Sequence, residues 1–290
     1  MSFRSIEEII KKCKEEQKEF WEIVLQDDME ERMASEEDSK AKMEYLYLAM
    51  RSADEAYDKD LKSASKLVGG DGERMNRAIR EQKAISGPFI SEVIAKALKM
   101  GESNACMKKI VAAPTAGSCG VIPAVLLTFE EQNKVPLHRM VEAMYVASGI
   151  GEVIAARAFL AGAAGGCQAE VGSASAMVAG ALTYLNGGDC DSIAHAAAMS
   201  LKNLLGLVCD TVGGLVEVPC VKRNVVGAVN AIASADMAIA GIRSKIPPDD
   251  VIDAMREVGE ALPKSLRETG EGGLAATPTG VAIMNEIMKD

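Results

Sequence analysis

The chain has 290 residues, 48% hydrophobic and 26% charged, a globular balance long enough to bury a sizeable core in one or two domains. Its formal net charge of −10 argues against nucleic acid or an anionic membrane surface as the main partner. Seven cysteines and only two histidines, His138 and His195, disfavour a histidine-rich zinc or non-haem iron centre; the cysteines are either small buried hydrophobes or, for a subset, metal or cluster ligands.

The first twenty residues are charged and helical, with no apolar core or cleavage site of a secretory signal, so a cytoplasmic location is expected, where disulfides are rare. Residues 5–60 read as helices. Ser5 followed by Glu8 makes a capping box, and Ile6, Ile9, Ile10, Cys13, Phe20, Ile23 and Val24 form an apolar stripe at near-helical spacing. Met43, Leu46, Tyr47 and Met50 mark a second helical run. These helices either offer a surface to a partner or simply pack on the rest of the chain. Gly69-Gly70-Asp71-Gly72 is a clear break, dividing an N-terminal helical segment, residues 1–70, from a helical domain over 71–290.

From about residue 84 the chain is rich in Ala, Gly, Ser and Met, and extended β-type alternation is absent. Residues 155–183 are the most membrane-like stretch, but Arg157 and Glu170 lie inside it, and it reads as buried helix. Small residues at four-residue spacing, as in Gly162 and Gly166, suit close helix contact. The expected fold is all-α, with tightly packed Ala/Gly-rich helices behind an N-terminal helical extension. Pro247-Pro248 precedes a last amphipathic helix starting near Asp249 and Asp250, with Val251, Ile252, Met255 and Val258 on one face, and Pro263 ends it.

Four segments carry possible chemistry. Ala113 to Gly120, opening into the apolar run Val121 to Phe129, is either an anion-binding helix start or an ordinary capped one. No histidine is assignable as a base for Cys119 as nucleophile. Gly165 to Ser175 leaves Cys167 beside irregular backbone and places Glu170 among small apolar residues, as a paired core carboxylate or a site group. Gly206 to Asn224 holds Cys209 and Cys220 across a Gly-Gly break and a proline, so a turn can bring them together. Ser265 to Gly280 is polar and glycine-dense, either a disordered tail or, from Leu274, Ala275 and Ala276, partly buried. Cys167, Cys209 and Cys220 make a sensible ligand set, since three thiolates on a cubane leave one iron free to act as a Lewis acid. No compact C-x₂-C signature accompanies them.

In these four segments, APTAGSCGVIPAVL, GGCQAEVGSASAM, GLVCDTVGGLVEVPCVKRN and ETGEGGLAATPTG, the sequence resembles the iron–sulfur-dependent L-serine dehydratases, specifically the alpha subunit of the two-subunit type, over roughly residues 84–280. The resemblance implies a mostly helical catalytic domain with a [4Fe–4S] cluster on Cys167, Cys209 and Cys220, no pyridoxal phosphate, and elimination of water from L-serine to give pyruvate and ammonia. For substrate binding, Thr115, Gly117 and Ser118 are the expected carboxylate contacts, with Ser173, Ser175, Arg223 and Asn224 as further polar candidates. Single-chain members end in a cysteine that occupies the free iron; here none follows Cys220, so tail ligation in cis is not expected. They also carry a domain with a Ser-Ser-His-Thr motif thought to supply the base. That motif is missing here, so a beta subunit in a hetero-oligomer is expected to supply it; Glu170, Asp210 and Glu217 are the conceivable substitutes within this chain, Glu170 first. A docking surface for that subunit is expected on the N-terminal helices or the rim of the cluster pocket.

Three rival readings remain. The same cluster chemistry on another small amino or hydroxy acid would make the chain a different hydro-lyase or a desulfidase. Gly149-Ile150-Gly151 gives half of a dinucleotide-binding signature, but the preceding run reads as helix rather than strand. A non-catalytic helical scaffold would have no reason to set cysteines in glycine-rich turns.

Overall fold

Helix-forming runs separated by glycine and proline dictate the architecture of the computed structural model, which describes residues 3–289. In chain order the helices are α1 (Ile6–Glu16), α2 (Phe20–Arg32), α3 (Glu36–Glu55), α4 (Asp71–Arg80), α5 (Gly87–Ala105), α6 (Val121–Asn133) and α7 (Leu137–Arg157). Then come α8 (Gly162–Gly165), α9 (Ser173–Leu185), α10 (Cys190–Lys202), α11 (Cys220–Ile239), α12 (Pro248–Ala261) and α13 (Pro278–Ile287). Among the described residues there is no β-strand, only an isolated bridge between Cys209 and Arg267. The fold is all-α. No described helix is long and apolar enough to cross a membrane.

The start of α1 shows how local signals and distant contacts share a cap. The Ser5 hydroxyl accepts the Glu8 N–H at 3.0 Å, as expected, but the Glu8 carboxylate reaches the N–H of Arg4, leaving the reciprocal half of the capping box unmade. The carboxylate of Asp249 accepts the next two N–H groups, those of Ile6 at 2.9 Å and Glu7 at 3.1 Å. Asp249 lies in the first turn of α12, so this contact ties the N-terminal helix to the C-terminal half.

Helix α9 is the centre of the molecule. Every residue from Ser173 to Tyr184 is buried, with α6, α7, α10 and α11 packed around it. Its small side chains permit that approach: a Cβ at Gly180 would clash with Ile150 of α7, and one at Gly227 of α11 would lie 2.7 Å from Val171. Gly149 and Gly151 serve the same purpose inside α7, where Val24 and Met177 fill the space of the missing Cβ atoms. This removes the dinucleotide-binding reading, because the two glycines are helix-packing residues and no strand precedes them.

Helices α1 to α3 join the same hydrophobic core through Ile6, Ile9, Phe20, Ile23, Val24, Tyr47 and Met50. A buried ion pair reinforces the contact between α3 and α5: Asp54 lies 2.9 Å from Lys96 and 2.7 Å from Lys99. The N-terminal helices thus pack on the body.

Candidate functional site

Two backbone devices shape the segment around Cys167. Helix α8 stops at Gly166, whose φ of 79° lies in the region that favours glycine; a Cβ there would also come within 2.7 Å of Leu262 and 2.9 Å of the Leu207 carbonyl. The chain then makes a single π-helical turn, Gln168–Gly172, before entering α9. Such turns are found mostly as insertions in α-helices, often at functional positions. Gln168 fixes the turn: its N–H donates to Leu207 O at 2.9 Å, its amide oxygen accepts the Gly206 N–H at 2.8 Å, and its amide nitrogen donates to Met255 O at 3.1 Å. The Cys167 turn is therefore bound to the segment that leads into Cys209.

Cys209 is held from its other side by the Ser265–Gly280 segment. Its N–H donates to Leu266 O and its carbonyl accepts the Glu268 N–H, both at 2.8 Å. Asp210 continues the clasp: its carboxylate accepts from Arg223 Nη2 at 2.8 Å and from the Leu274 N–H at 2.9 Å. The segment is thus ordered cover over the cysteines, which excludes the disordered-tail alternative. Cys220 is the first residue of α11. Asn224, one turn on, donates to Cys220 O at 3.0 Å and Gly117 O at 2.8 Å and accepts the Gly120 N–H at 2.8 Å. One side chain so joins the start of α11 to the Ala113–Gly120 loop.

These connections bring the Cys167 and Cys209 sulfurs and a Glu170 carboxylate oxygen within 4.8 Å of one another. Cys167, Cys209 and Cys220 are 2%, 1% and 4% exposed. The neighbouring Cys209 thiol and then the Arg223 guanidinium hold the Cys167 thiol below its ordinary value, against its burial. The Cys209 thiol, beside that anionic neighbour, is pushed up, and burial with the nearby Cys167 and Glu170 charges pushes up Cys220. Burial raises the Glu170 carboxyl, against the hydrogen bond from Thr115 and with help from the Glu268 charge. Cys119 takes no part in this group. It is buried, pushed up to about 12 by that burial, and its thiol points to Met100 O of α5 at 3.7 Å.

The Ala113–Gly120 loop faces Glu170. Thr115 Oγ1 donates to Glu170 Oε1 at 2.7 Å, and a Cβ on Gly117 would lie 3.0 Å from the same oxygen. Ser118 is buried, with its hydroxyl 3.2 Å from that of Thr115. The helix start read from the sequence is a short 3₁₀ turn, Ala116–Ser118, ahead of α6, and Asn224 has taken its Gly120 N–H. Arg223 is spent on Asp210 and on Val208 O, at 2.6 Å. Ser173 is fully buried and its hydroxyl has no partner among the described residues. Ser175 lies apart from these contacts in polar packing between helices, donating to Gly227 O at 2.6 Å and meeting Ser200 at 2.7 Å and Asn230 at 3.0 Å. Of the substrate-binding set, Thr115, Gly117 and Ser118 gather at Glu170, Arg223 faces Cys167, Asn224 frames the loop, and Ser175 is accounted for by packing.

Gly162, read as a helix-contact residue, instead allows the site to close. A Cβ there would lie 2.7 Å from Glu170 Oε2 and 3.1 Å from Cys209 Sγ. Arg267 and Glu268 were not among the site residues expected from sequence, and Asp210, considered there as a substitute base, instead pairs with Arg223. The only signal for Arg267 and Glu268 was membership of the glycine-dense motifs, since each acts through contacts more than ten residues away.

The donor set fits an iron–sulfur group in kind: three buried cysteines on irregular backbone, a cation facing one of them, and a carboxyl alongside. Thr211 Oγ1 and Arg267 Nε, on the two segments that meet at Cys209, are also buried without a hydrogen-bond partner among the described residues, as expected beside a polar group larger than the side chains present.

Comparison with known proteins finds relatives along nearly the whole chain. A family model described as "Serine dehydratase alpha chain" matches residues 15–275. The chain is 46% identical to the "Probable L-serine dehydratase, alpha chain" of Bacillus subtilis, covering 98% of this chain and 95% of the relative. It is 40% identical to the "L-serine dehydratase, alpha chain" of Peptoniphilus asaccharolyticus, covering 98% and 97%. The longer "L-serine dehydratase" of Helicobacter pylori strain 26695 is 34% identical, over 95% of this chain but 62% of the relative. With its four motifs folded around one cysteine group, and likeness running nearly end to end, the chain belongs to the serine dehydratase alpha chain family.

Proposed function

We propose that this chain is the alpha subunit of an iron–sulfur-dependent L-serine dehydratase, a lyase that eliminates water from L-serine to give pyruvate and ammonia. The observation that carries the reading is the approach of Cys167 and Cys209 to each other and to Glu170, beside a hydroxyl-rich loop suited to a carboxylate; Cys220 lies outside that 4.8 Å group but is tied to the same loop through Asn224. Cys167, Cys209 and Cys220 would hold a [4Fe–4S] cluster, whose iron without a protein thiolate supplies Lewis-acid assistance to departure of the serine hydroxyl.

The remaining chemistry falls to the chain itself. Thr115 Oγ1 and the Gly117–Ser118 backbone donate to the substrate carboxylate, in the place where Thr115 now serves the carboxylate of Glu170. Arg223, fixed by Asp210, keeps positive charge beside Cys167 and favours its thiolate. The Ser265–Gly280 segment covers Cys209 and limits water. Removal of the substrate α-proton requires a base worth about 10²–10⁴-fold. A beta subunit is the simplest source, and Glu170, raised by burial, is the group in this chain placed to take or hold that proton. The partner's docking surface is a patch at the rim of the site, where Leu274, the α13 side chains Val281 and Met284, and Met288 just beyond α13 are exposed; on α13 only Gly280 is buried.

The test is anaerobic purification of this chain, iron and sulfide analysis, and pyruvate formation from serine with and without the beta subunit. Iron and sulfide at about four each per chain, with turnover dependent on the second subunit, support the reading. A colourless, iron-free protein after anaerobic reconstitution refutes the cluster, and equal turnover with and without the partner moves the base into this chain.

A further inference from the structure

Two more cysteines face each other outside the Cys167, Cys209 and Cys220 group. Cys13 lies on the buried face of α1 and is 4% exposed; Cys190 is the first residue of α10 and is half-buried. The two thiols interact where α1 packs on α10, and the backbone N–H of Phe20, the first residue of α2, lies against Cys190. Their neighbours fix the register of the two helices: Lys14 Nζ lies 3.1 Å from Asp191 Oδ1. The far end of α1 is pinned separately by Asp249. The two helices are thus held together next to the pair by Lys14 and Asp191, and Cys190 gives it access to solvent.

The two sulfurs differ in a way that suits thiol–disulfide exchange. Cys190 stands in the first turn of a helix, where N–H groups and the helix dipole favour a thiolate. The neighbouring Cys13 thiol and Phe20 N–H add to this and outweigh the Asp189 and Asp191 carboxylates. Cys13 keeps its proton while it faces that anion.

We propose that Cys13 and Cys190 are a disulfide-forming pair that clamps α1 to α10 through exchange with a low-molecular-weight disulfide. The Cys190 thiolate attacks one sulfur of the small disulfide; its S–S bond breaks and one small thiolate leaves, taking up a proton. Cys13, no longer facing an anion, gives its proton to solvent and attacks the Cys190 sulfur. The Cys13–Cys190 bond forms, and the second small thiolate leaves and is protonated. Two protein thiols are oxidised and one small disulfide is reduced to two thiols.

The reagent for the test is oxidised glutathione, added anaerobically to the purified chain. Remaining thiols are blocked, and a tryptic digest is read by mass spectrometry. The expected result is a cross-link between the Cys13 and Cys190 peptides, reversed by dithiothreitol, with a rise in Tm on the order of 5–10 °C because the unfolded chain is constrained. Cys13→Ala is expected to stop at a glutathione adduct on Cys190, and Cys190→Ala to leave Cys13 reduced. Cys106, half-buried beside Glu102, Glu217, Lys62 and Lys108, is the internal control and stops at a mixed disulfide. A wild-type chain that ends with glutathione on Cys190 and an alkylatable Cys13, or with Cys190 untouched while Cys106 reacts, overturns the proposal. The readout is on thiols, so its failure is distinct from failure of the dehydratase reading.

Discussion

The Thr115 hydroxyl donates to the Glu170 carboxylate at 2.7 Å and so joins the Ala113–Gly120 loop to the π-helical turn that follows Cys167. The loop proposed to hold the substrate carboxylate already holds a carboxylate of the protein. Substrate binding then becomes an exchange of one carboxylate for another at the same donors.

If that exchange operates, Thr115→Val removes a donor that serves ground state and transition state alike. KM for serine is expected to rise about 10-fold or more, with kcat little changed. Steady-state kinetics of the reconstituted enzyme measure it, and an unchanged KM would place the substrate carboxylate elsewhere.

Replacing Cys167, Cys209 or Cys220 by serine is expected to abolish both visible absorption and activity, because each removes one of three thiolate ligands. Cys119→Ser is expected to keep the absorption, since its thiol is turned toward Met100 O. Aeration of the wild-type protein should bleach the absorption and the activity together, with recovery on ferrous iron and reductant under anaerobic conditions. Activity that survives full loss of iron would exclude a role for the metal.

Gly162→Ala tests the close approach of backbone to the site. The added methyl would lie 2.7 Å from Glu170 Oε2 and 3.1 Å from Cys209 Sγ, so one or both must move. Helical content by circular dichroism is expected to stay near wild type while iron content and turnover fall together.

Asp210→Ala removes a buried carboxylate and leaves the partly buried Arg223 guanidinium and the Leu274 N–H without their shared acceptor. Breaking one side of a buried pair costs about 3–5 kcal/mol. Urea denaturation should register the loss, and limited proteolysis should cut within residues 264–276 before any other segment, because that clasp holds the cover in place.

Glu152 of α7 offers a pH dependence away from the site. Burial, and then the carboxylates of Asp27, Glu31 and Asp28, raise it from the ordinary 4.5 to about 7, against a hydrogen bond from Ser148. A carboxyl that keeps its proton more tightly when folded contributes stability that is full below 4.5 and declines as pH rises through about 7. Glu152→Gln is therefore expected to raise Tm at pH 8 and leave it nearly unchanged at pH 5. An equal shift at both values would mean that the charge of Glu152 is not what lowers stability.

The parts of this protein legible in the sequence are those with a local cause. Gly69 and Gly70 directly precede α4, although α3 has already ended at Glu55; Pro263 follows α12, and the apolar residues of α1 and α2 recur at the spacing of a buried helix face. Of the cysteines proposed for the cluster site, Cys167 directly follows Gly166 and Cys220 directly follows Pro219, whereas Cys209, between Val208 and Asp210, is marked only by the glycine-rich motif around it. What the tertiary structure decided depends on residues far apart in the chain. Gly162 and Gly166 have helix-contact spacing, yet one admits Glu170 and Cys209 and the other turns the chain into Cys167, while helix contact falls to Gly149, Gly151, Gly180 and Gly227. Arg267 and Glu268 join the site only because the Ser265–Gly280 segment folds back on Cys209, which also gives Asp210 its contact with Leu274, and Cys13 meets Cys190 only because α1 packs on α10. Periodicity reports which face of an element is buried; it holds no record of what that face will meet, because the partner is set by the packing of the whole core.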